Sequence, residues 1–157
     1  MVRILFLLLL SLNSFAQYQD YPVRKILKVE INSSINPATY SYLKEAYDKA
    51  FREDYEILLI KLNTPGGLVS TTKDILTLIG GSEVTTIVWI TPEGASATSA
   101  GAIIASGAHI LLMANGTNIG SATPIELTGE IKETDQRKKA INSLVGLVQS
   151  LAESRGR

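Results

Sequence analysis

Apolar runs and amphipathic stretches alternate along most of this chain. Aliphatic runs at Lys25–Ile31, Ile57–Leu62 and Thr85–Ile90 predict three strands, and the composition of the third suits burial on both faces. A further run, His109–Ala114, predicts a short buried strand that ends in a turn at Asn115–Gly116. The pattern therefore indicates a sheet whose strands are separated by other elements.

Helical spacing fills the gaps between these runs. A helix is predicted to begin at Pro37, and a second covers Leu68–Ile79 and ends at Gly80–Gly81. A third is predicted to start at about Ser99. The first of these helices has one apolar face, formed by Leu43, Ala46, Tyr47 and Ala50. Regular alternation of strand and helix predicts an α/β fold with parallel strands and right-handed crossovers.

Two of the predicted strand-to-helix corners carry candidate chemistry. Gly94–Gly101 is a cluster of small residues around hydroxyls, and free amides at a helix start could hold an oxyanion. Such a cluster also occurs where helices pack closely, so both interpretations stay open at this point. The second corner, Asn63–Gly67, has a Pro-Gly-Gly turn that a substrate chain could approach without meeting a Cβ. Because this turn lies outside the apolar core, Gly67→Val is expected to leave the fold largely intact.

A candidate base lies downstream. Lys138 and Lys139 are predicted to open an amphipathic helix, and a lysine that loses its charge by desolvation could accept a serine proton. The polar segment Pro124–Gln136 has no periodicity and is predicted to be a flexible loop that leads into this helix.

The segments Asn63–Gly67, Gly94–Gly101 and Gly116–Gly120 together resemble the NfeD-type membrane-bound serine proteases. These belong to the Clp/crotonase superfamily and are related to signal peptide peptidase A. The resemblance covers nearly all of the chain after about Val23. It implies a Clp/crotonase-like fold of repeated ββα units.

The resemblance also implies a Ser-Lys dyad. Its nucleophile would be Ser99, which directly precedes an Ala-Gly pair, rather than Ser96. Its general base would be Lys139, 40 residues after Ser99, with Lys138 as the adjacent competitor.

Oxyanion donors and a substrate strand are implied in the same way. The amides of Gly67 and Ala100 would form the oxyanion hole, while Gly66 and Leu68 would line the substrate strand. The family relationship further implies a homodimer that cleaves an apolar segment of a stomatin-like membrane protein.

Composition excludes several other functions. Lys plus Arg and Asp plus Glu each number 15, and the sequence contains no basic stripe. A nucleic-acid partner is therefore not expected. The absence of cysteine excludes disulfides and thiol catalysis, and no metal site is expected. Gly116–Gly120 lacks the Lys-Ser/Thr of a phosphate loop, so no nucleotide cofactor is expected. The single histidine, His109, is predicted to have a structural role.

The first 16 residues have the pattern of a secretory signal. A positive start at Met1–Arg3, a leucine-rich Ile4–Leu12 and small residues in Ser14–Ala16 predict cleavage after Ala16. An uncleaved anchor or a core helix is the alternative. Residues 17–157 are then expected to form a protease domain on the periplasmic or extracellular face. Since the family continues further, the domain is expected to be C-terminally incomplete, with membrane association through the missing segment.

Together these observations predict an extracytoplasmic serine endopeptidase without a cofactor. Two other functions remain open: a non-catalytic interaction module that retains the fold, and crotonase-like acyl-CoA chemistry, which also uses paired amides to hold an oxyanion. The Ser99 and Lys139 pair favours hydrolysis.

Overall fold

The computed structural model describes Pro22, residues 25–121 and residues 134–156. The predicted signal segment lies outside these residues, as does most of the predicted loop. Ten elements follow in chain order: β1 Ile26–Asn32, α1 Pro37–Arg52, β2 Ile57–Asn63, α2 Val69–Gly80, β3 Thr85–Ile90, β4 Ser96–Thr98, α3 Ala100–Gly107, β5 Ile110–Met113, β6 Asn118–Gly120 and α4 Thr134–Ser154.

The strands form two parallel sheets. The larger has the order β1-β2-β3-β5, and the smaller pairs β4 with β6. Parallel neighbours require crossovers, and the described helices α1, α2 and α3 supply them in the larger sheet. The α/β fold with a parallel sheet and crossover helices is therefore confirmed. Because all strands of this sheet run the same way, the segments that follow β2 and β3 lie at one edge.

Helix α1 shows how local sequence sets an element. Asn36 caps it, since its Oδ1 accepts hydrogen bonds from the amides of Ala38 (2.9 Å) and Thr39 (3.2 Å). Pro37 occupies the first turn, where its fixed φ suits a helix. The predicted apolar face is confirmed, because its four members are all buried: Leu43, Ala46, Tyr47 and Ala50.

The core lies between the sheet and its helices. Along β2 every second residue is fully buried, at Leu58, Ile60 and Leu62. Strand β3 alternates in the same way, with one face buried and the other half-buried. Strand β3 was predicted to be buried on both faces, and among the described residues only one face is fully buried.

Strand β5 differs from its prediction. It was expected to be buried, but Ile110, Leu112 and Met113 are 44%, 47% and 44% exposed. The reason is its position: β5 pairs with β3 on one side and forms an edge of the sheet in the described part of the chain. An apolar composition alone does not distinguish an edge strand from a central one.

The lysine helix also differs from its prediction. Helix α4 begins at Thr134, so residues 134–136, which were predicted to be loop, are helical. Residues 124–133 of that predicted loop lie outside the described residues. In the described part of the chain, no helix has the length and apolar character needed to cross a membrane.

Candidate active site

Ser99 lies between β4 and α3 in a strained backbone conformation. It caps α3 with φ 53° and ψ −115°, a region that favours glycine. Its amide donates to the Gly120 carbonyl (3.0 Å), and its carbonyl accepts from the amides of Ala102 (3.0 Å) and Ile103 (3.3 Å). Within the described residues, its Oγ makes no hydrogen bond. The backbone of Ser99 is thus fixed, and its hydroxyl is available.

Ser96, the other hydroxyl considered, is engaged in structure. Its Oγ accepts from Asn118 Nδ2 (2.9 Å), and its amide donates to Asn63 Oδ1 (3.0 Å). Its carbonyl accepts from the Thr64 amide (2.7 Å). These bonds tie together the ends of β2, β4 and β6, and they give Ser96 a structural role.

The two predicted corners meet at Gly66. This residue has φ +114°, and an ideal Cβ on it would lie 2.7 Å from Ser99 Cβ and 3.2 Å from Ser99 Oγ. Only glycine allows so close an approach at this backbone angle. The structure therefore brings the Pro-Gly-Gly turn directly against the candidate nucleophile.

The amide of Gly67 points away from Ile35. The Ile35 amide donates to the Gly66 carbonyl (2.8 Å), and the Leu68 amide donates to the Ile35 carbonyl (2.9 Å). Because backbone groups alternate in direction along an extended segment, the amide and carbonyl of Gly67 face the opposite side. Gly67 is exposed. Its backbone is available to a substrate chain, as an oxyanion donor or a strand partner.

Ala100 offers a second free amide. It is the first residue of α3, so no carbonyl within the helix can accept from its N–H. In the described parts of the chain, no hydrogen bond uses the amide of Ala100 or Gly67. Both predicted oxyanion donors are therefore unoccupied and lie at corners that touch.

Gly66 and Leu68, which were predicted to line the substrate strand, have backbone groups that are already hydrogen-bonded, unlike those of Gly67. Gly66 donates its amide to Thr64 Oγ1 (3.1 Å), and its carbonyl already accepts from Ile35. The Leu68 carbonyl accepts from the amide of Thr72 (3.0 Å) and from its hydroxyl (2.8 Å). Since their backbone groups are engaged, Gly66 and Leu68 can line a substrate only through the Cα of Gly66 and the side chain of Leu68. That lining role stays a prediction.

The expectation that Gly67→Val would leave the fold intact is wrong. A Cβ at Gly67 would overlap the backbone of Ile35, with which Gly67 forms a parallel bridge. Any side chain at this position would separate the two segments. Loss of activity in such a variant would therefore not distinguish a lost amide donor from a displaced turn.

The candidate lysines lie on α4. Lys138 and Lys139 are both exposed, and no hydrogen bond between described residues joins either of them to Ser99. Helix α4 is anchored at its other end, where Arg155 Nε donates to the Gly107 carbonyl (3.2 Å) and Leu151 packs against Gly107. The structure thus brings Gly66, Gly67 and Ala100 to Ser99, whereas no hydrogen bond between described residues joins Lys139 to it.

His109 is confirmed as a structural residue. Its Nδ1 accepts a hydrogen bond from the Thr86 amide (3.0 Å) at the start of β3. Burial, and next the nearby Arg155 guanidinium, lower the pKa of its imidazole, which favours the neutral form that this bond requires. It follows α3, whereas Ser99 precedes it, so the helix separates the two residues.

Comparisons with known proteins identify the family of this chain. The family model described as the N-terminal domain of NfeD1b matches residues 25–157. The chain belongs to the NfeD1b N-terminal domain family. As a member of it, this NfeD1b-type domain is 35% identical over 131 residues to the membrane-bound protease PH1510 of Pyrococcus horikoshii. The match covers 82% of the chain, which spans only 29% of the length of that protease.

Solved structures show the same relationship. A mutant of the 1510-N membrane-bound stomatin-specific protease is similar with a TM-score of 0.78 and 32% identity, over 87% of this chain and 67% of that one. A second mutant, in complex with a substrate peptide, gives a TM-score of 0.76 and 32% identity over 85% of this chain and 61% of that one.

A more distant structure extends the likeness in fold. ClpP1 of Listeria monocytogenes has a TM-score of 0.60 and 20% identity, over 83% of this chain and 79% of that one. The Clp/crotonase-like fold of the NfeD1b-type domain is therefore confirmed.

Two parts of the site were missed from sequence. Strands β4 and β6 have three residues each, too short for a periodic signal, yet they position Ser99. Thr64 was noted only as a member of the turn motif, although it is 1% exposed and bonds to both the turn and β4. A threonine directly before Pro-Gly-Gly is the one sequence signal that could have drawn attention to it.

Proposed function

We propose that this domain is an extracytoplasmic serine endopeptidase with Ser99 as nucleophile and Lys139 as general base. The observation that carries the proposal is Ser99 itself, a strained helix-capping serine with a free hydroxyl against Gly66. Backbone strain and unengaged polar groups concentrate at functional sites, because a merely structural residue gains nothing from them.

The reaction follows from these groups. Neutral Lys139 takes the Ser99 hydroxyl proton while Oγ attacks the scissile carbonyl carbon. The resulting oxyanion accepts hydrogen bonds from the amides of Gly67 and Ala100. Collapse of this intermediate breaks the C–N bond, the lysine returns the proton to the leaving amine, and water then hydrolyses the acyl-serine.

The relatives support the assignment of the dyad. The two 1510-N structures are mutants in which a serine in one and a lysine in the other is replaced by alanine. The separation of those two positions is within one residue of the 40 residues between Ser99 and Lys139. This spacing favours Lys139 over Lys138.

Substrate and location follow from the same relationship. The 1510-N protease is described as specific for a stomatin homologue. We therefore propose an apolar segment of a stomatin-like membrane protein as the substrate and a homodimer as the working form. We also propose a location on the periplasmic or extracellular face, which the signal-like pattern of residues 1–16 supports, with membrane association through segments beyond this domain.

The test compares two serines. Ser99→Ala is expected to lower peptide cleavage by at least about 1000-fold, while Ser96→Ala keeps a substantial part of it because, among the described residues, its Oγ bonds only to Asn118. Cleavage of casein and of an apolar peptide by the mature domain provides the measurement. Equal losses in both variants would refute Ser99 as the nucleophile.

A non-catalytic interaction module is the second candidate. It is favoured by one observation, the exposure of Lys138 and Lys139, neither of which bonds to Ser99 in the described part of the chain. In that case an apolar peptide would bind with equal affinity to the wild-type and Ser99→Ala domains, and neither would cleave it. Cleavage that depends on Ser99 would exclude this function.

A further inference from the structure

Thr64 connects the two corners of the site through its backbone. It follows β2 directly and is 1% exposed. Its amide donates to the Ser96 carbonyl (2.7 Å), and its carbonyl accepts from the Thr98 amide (3.1 Å). These bonds hold β4, whose last residue precedes Ser99, against the end of β2.

The hydroxyl of Thr64 holds the turn. Its Oγ1 accepts from the Gly66 amide (3.1 Å) and donates to the Gly66 carbonyl (3.3 Å). Gly66 needs such support, because it has φ +114° and lies against Ser99. If the hydroxyl were removed, a buried amide would lose its partner at the point where the turn meets the nucleophile.

The methyl group of Thr64 meets the start of α3. A Cβ on Gly101 would overlap Thr64 Cγ2, so this methyl fills the space beside the first turn of the helix. The free amide of Ala100 lies in that turn. One side chain therefore contacts both segments that carry the proposed oxyanion donors.

We propose that Thr64 is a positioning residue that fixes the Gly67 and Ala100 amides relative to Ser99, its hydroxyl through the turn and its methyl through α3. This inference rests on the proposed function. It assigns the hydroxyl of Thr64 to the position of the Gly67 amide and its methyl group to that of the Ala100 amide. Each group can therefore be tested separately. Misplacement of a preorganised donor reduces the rate of the chemical step more than it weakens substrate binding.

The hydroxyl is tested with Thr64→Val, which keeps the shape and removes the bond. We expect kcat for peptide cleavage to fall about 10- to 100-fold while KM changes less than about threefold. The matched control is Thr86→Val, since Thr86 is also a buried threonine with a hydroxyl bond, to Tyr47 (2.6 Å), but it lies at the start of β3. Equal losses of kcat in the two variants would overturn the positioning role.

The methyl is tested with Thr64→Ser and a compensating change. Thr64→Ser keeps the hydroxyl and leaves a space next to Gly101, and Gly101→Ala alone introduces the overlap. We expect each single variant to lower kcat, and the double variant to recover at least about tenfold over Gly101→Ala because the new methyl occupies the vacated space. Additive losses in the double variant would contradict the proposal.

NMR measurements that do not depend on catalysis test this inference separately from the proposed function. Thr64→Val is expected to shift the amide resonances of Gly66, Gly67 and Ala100 and to speed hydrogen exchange at the Gly66 amide. Thr86→Val is expected to change neither these resonances nor that exchange rate. If the wild-type domain shows no Ser99-dependent cleavage, the proposed function fails while these shifts still report on Thr64. If Thr64→Val leaves the resonances unchanged, the positioning inference fails regardless of activity.

Discussion

Ser99 combines a reactive group with an unfavourable backbone conformation. At φ 53°, its Cβ causes a steric cost of about 1–3 kcal/mol that glycine would avoid. The cost is met by bonds to Gly120, Ala102 and Ile103, which hold the residue in place. Strain of this kind makes the position of the proposed nucleophile depend on the stability of its surroundings.

Ser99→Gly is therefore expected to abolish cleavage but to raise the free energy of unfolding by about 0.5–2 kcal/mol. Chemical denaturation measures this change in the free energy of unfolding. The matched control is Ser106→Gly, because Ser106 lies within α3, one residue before its last, with a hydroxyl bond to the Ala102 carbonyl (2.9 Å). That change should destabilise by about 0.5–1 kcal/mol. A Ser99→Gly domain destabilised as much as the control would show that Ser99 is not strained.

At the scale of elements, α4 carries the proposed general base. Adjacent residues on a helix point about 100° apart, so only one of Lys138 and Lys139 can face Ser99 at a time. Both lysines are exposed.

Lys139→Ala is expected to lower cleavage by about 100- to 10,000-fold, and Lys138→Ala to change it little. Lys139→Arg should be as inactive as the alanine variant, because a guanidinium does not deprotonate. Reversed effects of the two alanine variants would move the base to Lys138. Circular dichroism checks that α4 persists.

The elements differ in how well the sequence predicts them. The three strands from Lys25 to Ile90, the start of α1 and both ends of α2 are predicted to within one residue. Their periodic patterns are long, and Pro37 and the paired glycines mark the start of α1 and the end of α2. Strands β4 and β6 have no such pattern, since three residues make less than two periods. The exposed face of β5 depends on its neighbours in the sheet, which local sequence does not specify.

The same distinction holds within the site. The two corners are predictable, because glycine and small residues directly after apolar strands are typical of places where another backbone approaches closely. Their mutual contact depends on the order of the parallel strands, and so does the role of Thr64. The clash that makes Gly67→Val unsuitable arises from Ile35, a residue 32 positions away in sequence, and only the fold reveals it.

For the whole molecule, a buried tyrosine links stability to pH. Tyr47 is 4% exposed, and its hydroxyl lies 2.6 Å from Thr86 Oγ1. Burial raises its pKa to about 12 from the usual 10.0, although the bond to Thr86 and the nearby Arg155 oppose this shift. Below pH 10 the phenol is neutral in both the folded and unfolded states, so its contribution to stability is complete. Between pH 10 and 12 only the unfolded state ionises, and that contribution is lost.

The free energy of unfolding is therefore expected to fall by about 2–3 kcal/mol over this range because of Tyr47. Other groups titrate there too, so the measurement is the difference between wild type and Tyr47→Phe, by urea denaturation at pH 9 to 12. Tyr42→Phe, at a 45% exposed position, should give the wild-type slope. Equal slopes for wild type and Tyr47→Phe would show that Tyr47 is not responsible.

The contact between α4 and Gly107 has a mechanical consequence. Leu151 and Arg155 hold the helix on Gly107, while Lys139 lies 12 residues before Leu151, or about 18 Å along the axis. A rotation of α4 by about 10° about this contact would move Lys139 by about 3 Å. That distance separates a hydrogen bond to Ser99 from no contact. A change in the angle of α4 would therefore change the fraction of time for which the proposed dyad is assembled, and the rate of cleavage would scale with that fraction.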